Sequence, residues 1–96
     1  MQRSKAIALL REHLDDLRRF SVKSIALFGS VARDEARDDS DVDVLVDFTE
    51  VPKWSTFLDL QEYLEALFGR HVDLVARGAV PVRKRALLEA EAIVVS

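Results

Sequence analysis

The chain has 96 residues, of which 49% are hydrophobic and 32% charged, with a formal net charge of −3 and no cysteine. This composition is sufficient for a packed core and excludes a disordered chain, a disulfide scaffold and a thiolate metal site. Because no apolar run approaches the roughly 20 residues of a membrane-spanning helix and no secretory signal is recognisable, we expect one domain over residues 1–96, in a reducing, cytoplasmic setting without a membrane.

The first part of the chain predicts a helix, a strand and a second, short helix. Apolar residues recur at helical spacing over residues 4–20, which indicates an amphipathic helix. The apolar run over residues 22–28 is typical of a strand, and Gly29 ends it. Ser30 is a favourable N-cap residue, so a short helix is expected from there to about Arg37, followed by a turn over residues 37–40.

Residues 42–48 form the clearest strand of the sequence. Val42, Val44, Val46 and Phe48 alternate with other residues and predict an uninterrupted buried face. The intervening residues, Leu45 among them, are expected to point to the opposite side of the sheet.

The remaining elements follow the same alternation of helix and strand. Apolar spacing over residues 57–67 predicts an amphipathic helix that ends at Gly69, a plausible C′ residue. A strand is expected over residues 71–76, a helix from Pro81 to about Ala90, and a terminal strand over residues 93–95. The order α-β-α-β-α-β-α-β predicts an α/β (α+β) fold, a mixed sheet flanked by helices.

Acidic residues are concentrated between Arg33 and Glu50. This window holds eight acidic and two basic residues, a net charge of −6, whereas the rest of the chain carries +3. A broad basic surface is therefore absent from the sequence, and we expect no direct binding to nucleic acid.

Two features near this window suggest phosphate and metal chemistry. Gly29 and Ser30 join a strand to a helix N-terminus, where free backbone N–H groups bind anions and glycine permits close approach. Asp41 and Asp43 are two residues apart, so both carboxylates leave one face of a strand, and Asp73 lies in the next strand. If those strands pair, the three carboxylates cluster and suit Mg²⁺ ions in phosphoryl displacement. The alternative is that these acids only protect an edge strand from aggregation.

The spacing of these residues resembles the nucleotidyltransferases of the DNA polymerase β-like superfamily. Phe28-Gly29-Ser30 is followed after ten residues by Asp41-Val42-Asp43-Val44, and by Asp73 thirty residues later. The longer strings Gly29-Ser30-Val31-Ala32-Arg33 and Ser40-Asp41-Val42-Asp43-Val44-Leu45-Val46 are similar to those of the minimal nucleotidyltransferases. The resemblance implies the palm-like fold of that superfamily over nearly the whole chain.

The resemblance also implies a role for each matched residue. Gly29 and Ser30 would hold the β- and γ-phosphates of ATP. Asp41 and Asp43 would bind two Mg²⁺ ions, and Asp73 would complete the metal site and help to activate the attacking hydroxyl.

Three further positions belong to the matched region. Arg33 is expected either to contact phosphate or to brace the helix, and Ser40 is expected to contribute to nucleotide binding. Glycine commonly follows that arginine in the family, whereas this chain has Asp34. An additional negative charge there is expected to weaken nucleotide binding.

The resemblance further suggests a protein partner. Minimal nucleotidyltransferases are commonly antitoxins of HEPN-type ribonuclease toxins, and some transfer AMP to a tyrosine of the toxin. Only 23 residues follow Asp73, too few for a domain that binds an acceptor, so we expect a hetero-oligomer with a HEPN toxin that supplies the hydroxyl. The alternatives are an antitoxin that only occludes its partner and an enzyme that modifies a small-molecule hydroxyl.

Two aromatic or basic positions have competing interpretations. His71 could join the Asp73 site as a ligand, but it more commonly represents a partly exposed strand residue. Trp54 could stack on a base or contact a partner, although a tryptophan that anchors its own loop is more common.

Overall fold

The computed structural model describes residues 2–35, 37 and 40–96. Its helices are α1 (Arg3–Glu12), α2 (Leu14–Arg18), α3 (Gly29–Ala32), α4 (Trp54–Phe68) and α5 (Val82–Glu91). Its strands are β1 (Val22–Phe28), β2 (Val42–Phe48), β3 (Val72–Ala76) and β4 (Ile93–Val94), with a short 3₁₀ turn at Arg77–Ala79. No helix in these ranges is both long and apolar enough to cross a membrane.

The four strands form one mixed sheet in the order β3-β2-β1-β4. Strand β1 runs antiparallel to β2 and to β4, whereas β2 and β3 are parallel. Within this register Asp43 pairs with Phe28 on one side and with Asp73 on the other. The predicted mixed α+β architecture is confirmed, and its topology brings the end of β1 to the beginnings of β2 and β3.

The core lies between the helices and one face of the sheet. Val42, Val44 and Val46 are fully buried, as their alternation predicts, and they belong to one apolar cluster with Leu60 and Leu64 of α4. Leu45 points to the opposite face, as predicted. It is buried there as well, with 6% exposed, because the 3₁₀ turn and α5 cover that face.

The predicted first helix is interrupted at His13. The imidazole Nδ1 lies 2.8 Å from the carbonyl oxygen of Leu9, and the backbone N–H of His13 donates instead to the carbonyl of Leu10. The regular bond from residue i to residue i−4 is therefore replaced at this point. The chain divides into α1 and α2, and α2 ends at Arg18 rather than near Phe20.

The helix after Gly29 is shorter than predicted. It ends at Ala32, and its N-cap is Phe28, without a side-chain capping bond, so the predicted N-cap role of Ser30 is wrong. Asp34 has a φ of 59°, which is incompatible with continuing a right-handed helix. Ser40 N–H donates to the carbonyl of Arg37, as expected for the predicted turn, while Asp38 and Asp39 of that turn lie outside the described residues.

The predicted end of α4 at Gly69 is confirmed. Gly69 adopts the left-handed conformation with a φ of 68°, and its N–H donates to the carbonyl of Glu65 at 2.8 Å. The chain then reverses directly into β3, which places Asp73 next to β2.

Candidate active site

Gly29 occupies the turn between β1 and α3, and it permits a close approach of Asp43. Its φ is +68°, a conformation that disfavours other residues. A Cβ atom at this position would stand 3.0 Å from Cγ of Asp43 and would overlap one oxygen of its carboxylate. The predicted phosphate turn and the predicted metal ligand are thus in direct apposition.

Three carboxylates influence one another at this edge of the sheet. Asp43 and Asp73 are register partners on adjacent parallel strands, and Asp41 directly precedes β2. Burial raises the pKa of the half-buried Asp43 carboxyl, and the negative charges of Asp73 and Asp41 raise it further. The structure therefore brings the three predicted acidic residues within electrostatic reach of each other.

This donor set fits Mg²⁺ only with help from a substrate. In the part of the chain that the structure describes, no three histidine or carboxylate side chains converge closely enough to hold a metal ion unaided. Carboxylate oxygens are nevertheless the ligands that Mg²⁺ prefers, and proteins commonly bind it through one or two carboxylates together with phosphate oxygens. Such a cation would relieve the electrostatic repulsion of Asp43 by Asp73 and Asp41.

Arg33 supplies a positive charge that acts on Asp43. Its guanidinium lowers the pKa of Asp43, opposing the effects of burial and of the other carboxylates. Its Nε donates to Glu35 at 3.1 Å, and its Nη1 lies 3.9 Å from a carboxylate oxygen of Glu91. Arg33 therefore braces its surroundings through exposed ion pairs, which are weak enough to yield to a phosphate.

Ser40 lies in the turn that precedes Asp41 and bonds within that turn. Its hydroxyl accepts a hydrogen bond from the backbone N–H of Arg37 at 2.9 Å. Its carbonyl accepts one from Nη1 of Arg70 at 3.4 Å. Nucleotide binding by Ser40 stays a prediction, whereas its structural role is to shape the approach to Asp41. The sequence reasoning missed Arg70, because nothing in the local pattern beyond its place after Gly69 marks it.

Asp34 is engaged away from the acidic cluster. Its carboxylate accepts a hydrogen bond from the backbone N–H of Arg3, the first residue of α1, at 3.0 Å. The Arg3 guanidinium in turn donates to the carbonyl of Ala32 at 3.3 Å. Asp34 thus caps a helix that is distant in sequence. Its positive φ explains why glycine also suits this position.

The two ambiguous residues also have defined contacts. His71 Nδ1 lies 2.8 Å from the carboxylate of Glu65, and that carboxylate also accepts a bond from the N–H of Val72. His71 directly precedes β3, which begins at Val72, and its side chain is 59% exposed. The prediction that the strand begins at His71 is therefore wrong by one residue. Trp54 is 73% exposed and stacks on Phe57 with the ring planes 10° apart. Its exposure is not that of a residue anchoring its own loop.

Comparison with known proteins is consistent with this geometry. The family model described as a nucleotidyltransferase domain matches residues 10–94. Protein adenylyltransferase MntA of Thermococcus cleftensis is 51% identical over 74 residues, which are 76% of this chain and 75% of that protein.

Solved structures show the same fold. A candidate minimal nucleotidyltransferase superposes with a TM-score of 0.85 at 36% identity, covering 97% of this chain and 95% of the other. A chain from the complex of a tri-AMPylated HEPN toxin with an MNT antitoxin, from Shewanella oneidensis, superposes with a TM-score of 0.63 at 20% identity. That match covers 98% of this chain and 68% of the other.

Proposed function

The chain belongs to the nucleotidyltransferase domain family, and on this premise we propose that it transfers AMP from ATP to a HEPN-type toxin protein. The acceptor is a hydroxyl group, that of a tyrosine, and the reaction depends on Mg²⁺. The observation that carries the proposal is the pairing of Asp43 with Asp73 beside the Gly29 turn, because it joins carboxylates to a turn that a phosphate can approach.

In this site the glycine turn would bind the phosphates, and the acidic residues would bind the metal ions. Gly29 and Ser30 bind the β- and γ-phosphates, which leaves the α-phosphate near the acidic cluster. Asp41 and Asp43 would hold two Mg²⁺ ions, with Asp73 completing the set. When bound, such ions neutralise phosphate charge that develops during displacement.

The reaction is an in-line displacement at the α-phosphorus. The acceptor oxygen forms a bond to that phosphorus while the bond to the bridging oxygen of the β-phosphate breaks, and pyrophosphate leaves. Asp73, which is exposed at the edge of the site, helps to draw the proton from the acceptor hydroxyl. Arg33 exchanges its surface ion pairs for contact with the phosphates.

A protein acceptor agrees with the relatives of the chain. A relative 51% identical over 74 residues is a protein adenylyltransferase, and a structural neighbour comes from a complex with an AMPylated HEPN toxin. A cytoplasmic setting belongs to the same proposal, and a sequence without cysteine suits that reducing compartment.

We expect a HEPN protein to be encoded beside this chain, and intact-mass analysis of that protein tests the proposal. With ATP and Mg²⁺, the HEPN protein is expected to gain the mass of one or more AMP groups, and replacing the modified tyrosine by phenylalanine removes that gain. EDTA prevents it. A HEPN protein that is bound and neutralised without any gain in mass supports occlusion instead and contradicts the proposal.

A further inference from the structure

An apolar cleft opens at the carboxyl ends of β2 and β3. Its volume is about 810 Å³, and two exposed residues, Val51 (94% exposed) and Trp54 (73%), stand at its side. The ring of Phe57 stacks against the ring of Trp54. Exposed apolar surface that is gathered in one place is typical of a binding site rather than of ordinary protein surface.

Most of this cleft lies away from the Gly29 turn. Asp43 lies at the beginning of β2 and Phe48, which lines the cleft, lies at its end. Five residue steps of extended chain join them, about 16 Å at the usual rise of a strand. On β3 the cleft is lined by Leu74, which directly follows Asp73. A ligand in the cleft therefore leaves the Gly29 turn and Asp43 free for a nucleotide and lies next to Asp73.

The cleft borders the outer edge of the sheet, which β3 forms. Val42 N–H donates to the carbonyl of His71, and this bond shows which residues of β3 are hydrogen-bonded to β2. Residues 71, 73 and 75 therefore direct their backbone groups toward β2, and Val72, Leu74 and Ala76 direct theirs outward.

Helix α4 covers only the beginning of that edge. The N–H of Val72 donates to Glu65 and its carbonyl accepts from Gln61, both at 3.1 Å. No hydrogen bond joins the outward groups of Leu74 or the N–H of Ala76 to another described residue. Both residues line the cleft, so unpaired backbone groups and apolar surface occur at the same place.

The charged residues that line the cleft favour a basic occupant. Asp47 and Glu50 are the charged residues among those that line it, and both are acidic. Arg77, the basic residue that acts on Asp47, is itself hydrogen-bonded to Glu89. A segment with a lysine or arginine is therefore favoured over an acidic one.

We propose that the cleft and the open edge of β3 bind an extended segment of the HEPN partner, in which an apolar side chain is flanked by a basic one. The segment adds a strand beside β3 through the free groups of Leu74 and Ala76. Its apolar side chain contacts Trp54, and its basic side chain pairs with Glu50 or Asp47. This inference rests on the proposed function, because it concerns where the acceptor protein docks.

Trp54 is the single tryptophan of the chain, so it reports on the cleft directly. The chain is labelled with 5-fluorotryptophan, and unlabelled HEPN protein is added while fluorine NMR follows the one resonance. We expect the resonance to shift as the complex forms. A complex that forms with an unshifted resonance overturns the proposal, as does a shift produced by raising the concentration of the chain alone, which assigns the cleft to a second copy.

A proline at position 76 tests the strand pairing separately. Ala76 has a φ of −82°, which proline can adopt, so Ala76→Pro removes the outward N–H with little change to β3. We expect its affinity for the HEPN protein to fall about 3- to 10-fold, the effect of one lost hydrogen bond. Ala76→Ser keeps the N–H and is expected to bind like the parent. Equal affinity of the two variants contradicts strand addition.

Two truncations of exposed apolar residues complete the test. We expect Trp54→Ala to raise the dissociation constant about 10-fold or more, since buried aromatic residues dominate interfaces. Leu87→Ala on α5 is the matched control, because Leu87 is 72% exposed and does not line the cleft. Equal effects of the two substitutions on the dissociation constant overturn the docking site.

The docking site and the proposed function can fail separately. AMP transfer that persists with an unshifted Trp54 resonance overturns the docking site alone, whereas a shift of that resonance without AMP transfer overturns the proposed function alone.

Discussion

The carboxylate of Asp43 lies over the Cα atom of Gly29, in the space that a side chain at position 29 would need. This apposition joins the end of β1 to the beginning of β2 at the point where the two strands pair. It is also where the proposed phosphates and cations would meet. The glycine therefore serves two purposes, since it adopts a positive φ and leaves room for an acidic neighbour.

Gly29→Ala and Gly69→Ala separate these two purposes. Both glycines have a φ of +68°, but nothing lies within 4 Å of a Cβ atom at Gly69. We expect Gly69→Ala to lower the free energy of unfolding by about 1–2 kcal/mol, the cost of the left-handed conformation. Gly29→Ala is expected to cost more, because the methyl group must also displace Asp43. Urea denaturation measures both.

The variants Gly29→Ala and Gly69→Ala are also compared in their binding of nucleotide. Gly29→Ala is expected to weaken Mg²⁺-dependent ATP binding, measured by calorimetry, whereas Gly69→Ala leaves it unchanged. Equal losses of binding in the two variants would mean that the effect is one of general stability.

Asp43→Asn is expected to stabilise the protein while abolishing AMP transfer. Burial and the charges of Asp73 and Asp41 make ionised Asp43 unfavourable in the folded state, and the amide removes that charge. We expect a gain of about 0.5–1 kcal/mol at neutral pH, a rise in Tm of about 2–8 °C. Asp59→Asn, an exposed substitution on α4, is the control and should change neither property. If Asp43→Asn lost both stability and AMP transfer, this would contradict the claim that Asp73 and Asp41 repel Asp43.

The same repulsion predicts a pH dependence of stability. The raised pKa of Asp43 means that its contribution to folding is favourable below the ordinary value of 3.8 and is lost as pH rises through the folded value. The stability gained by Asp43→Asn should therefore grow as pH rises from about 3.5 to 7. Urea titrations of both proteins across this range measure it. A pH-independent difference would contradict a raised pKa at this residue.

Asp34 is expected to matter for stability rather than for catalysis. Asp34→Ala removes the cap of α1 and retains a strained φ, so we expect a loss of about 1–2 kcal/mol. Asp34→Gly loses the same bond but relieves the backbone, and its loss should be smaller. Thermal unfolding ranks the two variants. An ATP affinity that improves markedly in Asp34→Gly would show instead that this carboxylate weakens nucleotide binding.

Local patterns were sufficient to predict the strands, and they predicted a cluster of the acids on the condition that β2 and β3 pair. The bounds of β1 and β2 agree with the prediction because each is a short apolar run between breakers, and alternation in β2 identified Val42, Val44 and Val46 as core. The occurrence of Asp73 within an apolar strand required an explanation, but the pairing of β2 with β3 entered only as a condition. The structure shows that the two strands do pair.

The features that were not predicted depend on contacts between distant residues. The break at His13 arises from a side-chain bond to the backbone that helical periodicity does not encode. Leu45 is buried by α5, which lies some 40 residues later, and Asp34 bonds to Arg3, 31 residues earlier. Spacing alone cannot show such pairings, so it did not indicate that Asp34 caps α1. The expected effect of Asp34 on nucleotide binding, which came from the resemblance, stays a prediction.

The position of the label in ATP tests the central claim most directly. The chain is incubated with Mg²⁺, the HEPN protein and ATP labelled in either the α- or the γ-phosphate. We expect the α-label to become covalently attached to the HEPN protein and the γ-label to leave as pyrophosphate. Asp43→Asn is expected to eliminate both events, whereas Asp59→Asn is not. Attachment of the γ-label, or attachment of the α-label that persists in Asp43→Asn, would contradict the central claim.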